Sequence, residues 1–266
     1  MPPKRSAASA ALAAKEEDIK KLRSAIDQAA EDYLCPISQE LPVDPVTAED
    51  GRIYERTEIQ RHIDQRAAAG SLRSPMTNEP MGPKLLPSAQ TRSIIRTLVR
   101  TGAIGGDKAT RWEERLNEEE KLQTWRREAE GGDCYAMYEL GCAHWYGTHG
   151  LNKDQAAAYG WWKKGADLGE ATCMAVAGRC LLFGMGVDKA VTHGMLLAGG
   201  AAWKGSRYGC LLLGMSYDTG KKGLPKDAAQ AKHWYARAAD GAVDDMVDTD
   251  RDYAATRLQA LTTAGK

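Results

Sequence analysis

Leu34-Cys35-Pro36-Ile37 opens the stretch of sequence that decides the fold of the first half of this 266-residue chain. The motifs that follow it in order are Asp44-Pro45-Val46, Gly51-Arg52-Ile53-Tyr54-Glu55-Arg56 and Ser74-Pro75-Met76-Thr77. Prolines and turn residues alternate with short apolar groups, and one periodic segment runs over 55–69. This pattern predicts a loop, a hairpin, a helix, a second loop and a last helix.

The same stretch lacks the ligands of a zinc module with two loops. Two tetrahedral zinc sites would need eight Cys or His ligands in paired spacings, whereas residues 33–99 contain only Cys35 and His62. No Cys-x-x-Cys pair occurs among the six cysteines of the chain. We therefore expect no metal ligands and no cofactor, and we interpret Cys35 as a buried structural thiol rather than a nucleophile.

The ordered motifs resemble the U-box family, the metal-free relative of the RING zinc domains. The resemblance covers residues 33–99 and implies a ubiquitin-protein ligase that recruits a ubiquitin-loaded conjugating enzyme and positions its ubiquitin. It implies no catalytic residue and no covalent ubiquitin intermediate on this chain. The family contacts the conjugating enzyme through a first-loop apolar residue, a helix residue and a second-loop proline, here Ile37, His62 and Pro75. The position that often braces the donor ubiquitin with an arginine corresponds to Asn78, which carries no charge.

The resemblance also implies that hydrogen bonds replace zinc in holding the two loops. A net hydrogen bond contributes about 0.5–1.5 kcal/mol, so several must act together. The candidates for this network are Ser38, Glu40, Asp44, Glu58, Ser74 and Thr77. The sequence departs from the family pattern at Ser88, where Asn is usual, and at Thr91, where an apolar residue is usual.

The second half of the chain repeats with a period of 36 or 37 residues, which predicts a solenoid of helix pairs. The glycines that mark the period are Gly132, Gly169, Gly205 and Gly241, and a second series nine residues later is Gly141, Gly178 and Gly214. Each repeat is predicted to form helix A, a glycine-containing loop and helix B. In the first repeat, helix A covers 135–146 and helix B covers 154–168. The predicted N-caps of the B helices are Asp154, Asp188 and Asp227. We expect the second glycine series to mark close crossings of helix backbones.

This periodic lattice resembles the Sel-one-like repeat, a relative of the tetratricopeptide repeat. The residues that carry the resemblance are Leu140-Gly141, Tyr146-Gly147, Lys153-Asp154 and Trp161-Trp162 in the first copy, and Leu213-Gly214, Lys226-Asp227 and Trp234-Tyr235 in the third. The middle copy is weaker, because Ala177 replaces Leu and Leu197 stands where Trp is expected. The resemblance implies a protein-binding superhelix that holds a protein substrate or an adaptor and has no catalytic activity.

The predicted fold class is mainly α, with a small α+β U-box-like domain followed by an α-helical solenoid of about three helix-pair repeats. The predicted divisions are an N-terminal helical extension (1–32), the U-box-like domain (33–100), a linker (101–110), the solenoid (111–247, with repeats near 132–168, 169–204 and 205–240) and a capping helix with a tail (248–266). Trp112 to Ala129 is predicted to start the stack as an unpaired helix B.

Composition excludes several classes of function. Lys plus Arg and Asp plus Glu both total 36, so no net field favours nucleic acid. The longest apolar runs are far shorter than the ~20 residues of a membrane-spanning helix. Six cysteines without a disulfide pattern favour a reducing compartment, the cytoplasm or the nucleus. The alternative to a ligase is a non-catalytic interaction scaffold with a degenerate U-box, and the sequence leaves both open.

Overall fold

A computed structural model of the chain describes residues 7–67, 72–240, 245 and 247–263. The chain divides into two compact units between Glu119 and Glu120. Helices predominate, one small sheet lies in the first unit, and helix pairs build the second, which confirms the predicted fold class. No helix among the described residues has the length and apolar character needed to cross a membrane.

The first unit contains the predicted hairpin and helices. Its elements in chain order are α1 (Ala7–Glu31), β1 (Pro45–Thr47), β2 (Ile53–Glu55), α2 (Arg56–Ala67), β3 (Leu86–Pro87) and α3 (Ala89–Arg100), followed by the first half of α4 (Gly106–Glu130). The three strands pair antiparallel in the order β2-β1-β3, with Val46 opposite both Tyr54 and Pro87. The last two residues of the periodic segment predicted over 55–69 lie outside the described residues.

Two small apolar clusters hold the first unit together. One lies between the sheet and α2 and consists of Cys35, Val46, Ala48, Tyr54, Ile59 and Ile63. The other joins the end of α1, α3 and the first half of α4, with Ile95 and Trp112 among its buried members. Cys35 is fully buried, as predicted. The thiol is therefore part of the core that supports the loops.

Ser88 and Thr91, the two departures from the family pattern, compensate each other. Thr91 lies in the first turn of α3 and is buried. Its hydroxyl oxygen is 2.7 Å from that of Ser88. A buried hydroxyl without a partner would destabilise the fold. The hydroxyl of Ser88 provides that partner for Thr91, which explains why both departures occur together.

The α4 helix differs from what the sequence predicted for the linker. Residues 101–105 form turns, but α4 begins at Gly106, inside the segment predicted as the linker. Trp112, which we assigned to the solenoid, is buried in the first unit and donates its indole N–H to the Pro42 carbonyl at 3.1 Å. Trp125 of the same helix packs against solenoid residues, as predicted. The repeat pattern could not separate these two tryptophans, because the partner of Trp112 is 70 residues away.

The described part of the second unit consists of the second half of α4, three helix pairs and a last helix. The pairs are α5 (Cys134–Tyr146) with α6 (Gln155–Asp167), α7 (Ala171–Phe183) with α8 (Val191–Trp203), and α9 (Arg207–Thr219) with α10 (Ala228–Asp240), and α11 (Asp248–Thr263) packs on α10. Gly241, the last member of the first glycine series, lies outside the described residues.

The predicted N-caps hold in two of the three B helices. The Asp154 carboxylate accepts a hydrogen bond from the Ala157 N–H, and Asp227 accepts from two amides of the first turn of α10. Asp188 is not a cap, which corrects the prediction. The chain enters α8 at Ala190, which has no capping side chain.

The second glycine series marks close contacts between helices, but the predicted close approach of helix backbones holds at Gly178 alone, where a Cβ would lie 3.0 Å from the Gly194 carbonyl oxygen. A Cβ atom on Gly141 would lie 2.1 Å from Nε1 of Trp162, and one on Gly214 would lie 2.8 Å from the ring of Tyr235. These two glycines make room for an aromatic ring, and a side chain at either position would force that ring to move. Gly160 in α6 is different, because a Cβ there would meet nothing within 4 Å.

We expect Gly141→Ala to destabilise the solenoid by about 1–3 kcal/mol, because the added methyl group overpacks the crossing of α5 and α6. Gly160→Ala is the matched control and should stabilise by about 0.5–1 kcal/mol, since alanine restricts the unfolded chain and meets open space in the helix. Urea unfolding of the full chain measures both. Equal effects of the two substitutions would contradict the close crossing.

Candidate functional site

The two loops of the first unit are two copies of one turn. The first has the sequence Cys35-Pro36-Ile37-Ser38-Gln39-Glu40 and the second Ser74-Pro75-Met76-Thr77-Asn78-Glu79. In each copy the N–H of the first residue donates to the carbonyl of the sixth, at 2.8 and 2.9 Å. The N–H of the fifth residue donates to the carbonyl of the first, at 2.8 and 3.0 Å. The fifth residue has a left-handed φ of 59° in one copy and 58° in the other.

This turn exposes an apolar side chain at its third position. Ile37 is 36% exposed and Met76 is 48% exposed, whereas Pro75 is half-buried. Sequence reasoning selected Ile37 and Pro75 and missed Met76. The repetition of the hexapeptide itself was the available signal, because equal turns present equal positions to solvent.

Asp50, which lies between β1 and β2, holds the second loop. Its carboxylate accepts hydrogen bonds from Ser74 Oγ at 2.6 Å, from the Tyr54 hydroxyl at 2.7 Å and from the Arg52 N–H at 3.1 Å. Ser74 Oγ in turn accepts from two amides of the loop, both at 3.1 Å. Burial alone would raise the pKa of Asp50, but these hydrogen bonds outweigh it and bring the pKa below its ordinary value of 3.8. The carboxylate therefore stays ionised and continues to accept all three bonds.

Glu55 has the equivalent role next to the first loop. It is 4% exposed although it is charged, and its carboxylate accepts from the Val43 N–H at 2.8 Å and from the Asp44 N–H at 3.3 Å. Arg115 of α4 donates to the same carboxylate at 2.6 Å and to Glu40 of the first loop at 2.8 Å. Buried charges are stable only when paired in this way.

The predicted hydrogen-bond network is therefore right in part. Ser74, Thr77, Asp44 and Glu40 take part in it, whereas Glu58 pairs with Arg61 on the surface of α2. Ser38 Oγ is buried without a hydrogen-bond partner among the described residues. Asp50 and Glu55 accept most of the bonds, and the sequence did not single them out. Their partners lie as far as 60 residues away.

His62 connects α2 with the second loop. Its Nε2 is 2.8 Å from the Arg73 carbonyl oxygen, so the ring donates a hydrogen bond to the residue that precedes Ser74. Ile59 and Ile63 of the same helix share one apolar cluster with Cys35 at the base of the first loop. One small core therefore supports the three predicted docking positions, Ile37, His62 and Pro75.

A cation lies directly before the second loop, although Asn78 itself is uncharged. The Arg73 guanidinium donates to the Asn78 carbonyl at 2.9 Å, and both residues are exposed. The left-handed φ of Asn78 gives a backbone reason for asparagine at this position, because its short polar side chain tolerates that conformation. Sequence reasoning considered position 78 alone and missed Arg73.

The described residues contain no group of three or more His, Cys, Asp or Glu side chains placed to hold a metal ion. All six cysteines are free, and Cys134 and Cys142 are half-buried.

The geometry thus defines a module with two hydrogen-bonded loops, followed by a solenoid of helix pairs. A family model of the U-box domain matches residues 29–101, and the Sel1 repeat model matches residues 134–170 and 207–242. The chain contains a U-box domain and Sel1 repeats, as the two resemblances implied. The middle copy, which the sequence marked as weaker, lies between the two Sel1 matches and still forms the helix pair α7 and α8.

Similar proteins match parts of the chain. U-box domain-containing protein 10 of Arabidopsis thaliana is 44% identical over 66 residues, 24% of this chain and 10% of that protein. The probable bifunctional E2/E3 enzyme R795 of Acanthamoeba polyphaga mimivirus is 38% identical over 66 residues, 25% of this chain and 5% of that protein. These matches span a small part of the relatives' lengths. The crystal structure of a Sel1 repeat protein from Oxalobacter formigenes is 29% identical, with a TM-score of 0.42, and covers 52% of this chain and 97% of that one.

We expect Ser74→Ala to destabilise the second loop by about 1–3 kcal/mol, because Asp50 and two loop amides each lose a bond. Hydrogen exchange at the Met76 and Thr77 amides should become faster, which mass spectrometry can measure. Ser38→Ala is the control and should be neutral or stabilising, since its hydroxyl has no partner to lose among the described residues. Unchanged exchange in Ser74→Ala would rule out the role of this hydroxyl.

Proposed function

We propose that this protein is a ubiquitin-protein ligase of the RING-type mechanism, in which the U-box recruits a ubiquitin-loaded conjugating enzyme. The observation that carries the proposal is the exposed Ile37 on a first loop that hydrogen bonds hold rigidly. An exposed isoleucine on a rigid turn binds a partner without an ordering cost for the backbone. In this mechanism no covalent ubiquitin intermediate forms on the chain, and the full burial of Cys35 supports a structural role for that thiol.

The docking surface is small, and this suits the reaction. Burial of a large aliphatic side chain contributes about 1.5–3 kcal/mol, so a contact centred on Ile37, His62 and Pro75 is weak and short-lived. A conjugating enzyme must leave to be recharged with ubiquitin. The contribution to rate is then positional, because the ligase holds the thioester where a substrate lysine attacks it.

The Sel1 repeats hold the protein substrate or an adaptor in this proposal. Repeat solenoids bind proteins through extended surfaces that their stacked helices create. The six free thiols support activity in a reducing compartment, the cytoplasm or the nucleus.

We expect Ile37→Ala to slow the discharge of ubiquitin from a loaded conjugating enzyme onto free lysine by about tenfold or more, because the variant loses roughly 1.4 kcal/mol or more of docking energy. The assay uses the full chain and a panel of conjugating enzymes. Leu86→Ala is the control, since Leu86 is 54% exposed on β3, outside the loops, and its loss should leave the rate unchanged. If the unsubstituted chain accelerates discharge from no enzyme of the panel, the protein is the non-catalytic scaffold.

The second loop braces the donor ubiquitin through Asn78 and the neighbouring Arg73 guanidinium. At saturating conjugating enzyme, Arg73→Gln should lower the discharge rate more than Asn78→Gly, because bonds from a charged donor are roughly twice as strong as neutral ones. Glycine keeps the left-handed backbone of position 78. Rates unchanged in both variants would exclude bracing by this loop.

A further inference from the structure

The solenoid has an apolar pocket where its second and third repeats meet. The pocket has a volume of about 310 Å³ and lies between α8, α9, α10 and the loop that joins α9 to α10. Its apolar lining comes from Met195, Leu196, Leu213, Leu224 and Trp234. This volume is at the lower end of the range for ligand pockets, about 300–1,000 Å³, so it has room for one large apolar side chain.

The corresponding place between the first and second repeats is closed. Gly186 corresponds to Gly223 in the repeat pattern, and a Cβ on Gly186 would lie 2.1 Å from the Gln155 carbonyl oxygen. Met185 packs into the apolar cluster beside it. At Gly223 a Cβ would meet nothing within 4 Å, and Lys222 replaces the methionine. The pocket at the second junction therefore has no counterpart among the described residues of the first.

Three lysines stand at this junction. Lys222 lines the pocket, donates to the Leu182 carbonyl at 2.6 Å and lies over the Phe183 ring. Burial, and then the charges of Lys189 and Lys221, lower the pKa of Lys222. Lys189 and Lys221 are exposed, and neither has a carboxylate within ion-pair distance in the part of the chain that the structure describes. Lys189 and Lys221 therefore present positive charge to solvent at the junction.

Leu196 adds an exposed apolar rim to the pocket. Its side chain is 69% exposed. In the neighbouring B helices the corresponding residues are Gly160 and His233. The solenoid does not bury this leucine, so its side chain is available for contact with a partner.

We propose that this pocket binds a peptide segment of a partner protein in which a large apolar side chain is flanked by Asp or Glu residues. The apolar side chain enters between Leu213, Leu224 and Trp234, and the flanking carboxylates face Lys189, Lys221 and Lys222. This inference rests on the proposal that the repeats hold a substrate or an adaptor, and it names the chemistry by which they select it.

The test uses three pools of short fluorescein-labelled peptides and measures fluorescence anisotropy with the full chain. The first pool has a central Leu, Phe or Trp with acidic flanks, the second the same centre with basic flanks, and the third a central Ser with acidic flanks. We expect the first pool to bind at least about tenfold more tightly than the others, and more weakly as salt is raised. Equal binding of the three pools would overturn the proposal.

Matched variants locate the site. Lys189→Glu should weaken binding of the first pool by about tenfold, whereas Lys153→Glu, the exposed lysine at the same place one repeat earlier, should leave it unchanged. Leu196→Ser should also weaken binding, and Leu168→Ser, which changes a leucine that is 60% exposed on the first repeat, should not. Equal losses in a variant and its control would place the binding elsewhere and refute the pocket.

The outcome is independent of ubiquitin transfer. The assay contains no ubiquitin and no conjugating enzyme, and Ile37→Ala should bind the first pool as the unsubstituted chain does. Loss of peptide selectivity with intact discharge would refute the pocket alone. Intact peptide selectivity without discharge would refute the ligase proposal alone.

Discussion

The U-box depends on the hydrogen bonds that the carboxylate of Asp50 accepts. Asp50 binds the Ser74 hydroxyl, and that hydroxyl accepts the amides of Met76 and Thr77, so one charged group fixes the conformation of a whole loop. Glu55 supports the first loop indirectly: it accepts from the amides of Val43 and Asp44, which follow the loop, and from the guanidinium of Arg115, which also binds Glu40. Charge-assisted bonds of this kind are roughly twice as strong as neutral ones. Two carboxylates that each accept several hydrogen bonds can therefore hold the loops, whereas a single neutral bond of about 1 kcal/mol could not.

The two loops of the U-box share one backbone conformation. Both hexapeptides close through the same pair of backbone hydrogen bonds, and both need a left-handed residue at the fifth position, Gln39 or Asn78. The third position then points an apolar side chain outward in each. A partner that binds one loop through Ile37 would find a similar contact, Met76, on the other. In the proposed docking mode, Ile37 and Met76 are the two exposed apolar side chains of the loops that a partner would contact.

Sequence reasoning predicted most of this fold because periodicity and motif order are local properties. The glycine series predicted the helix pairs from α5 to α10, and the buried Cys35 followed from its apolar surroundings. Long-range pairs were not visible. Glu55 reads as a surface residue at the end of a short strand, but it is buried because Arg115 reaches it from α4, and Trp112 lies in the first unit for a similar reason. Asp188 failed as an N-cap because α8 begins three residues after it. The pocket beside Lys222 could not be predicted, since it depends on a loop that packs closely in one repeat and not in the next.

The bonds that stabilise the second loop also determine which conditions open it. A loop tied by zinc and thiolates opens when a chelator removes the metal. A loop tied to a carboxylate opens when that carboxylate is protonated. Because hydrogen bonds bring the pKa of Asp50 below 3.8, its stabilising contribution is fully present above that pH and is lost only as the pH falls through the lower, folded-state value. Protonation of Asp50 therefore weakens the hold on the loop that presents Pro75 and Met76 only at a pH below 3.8.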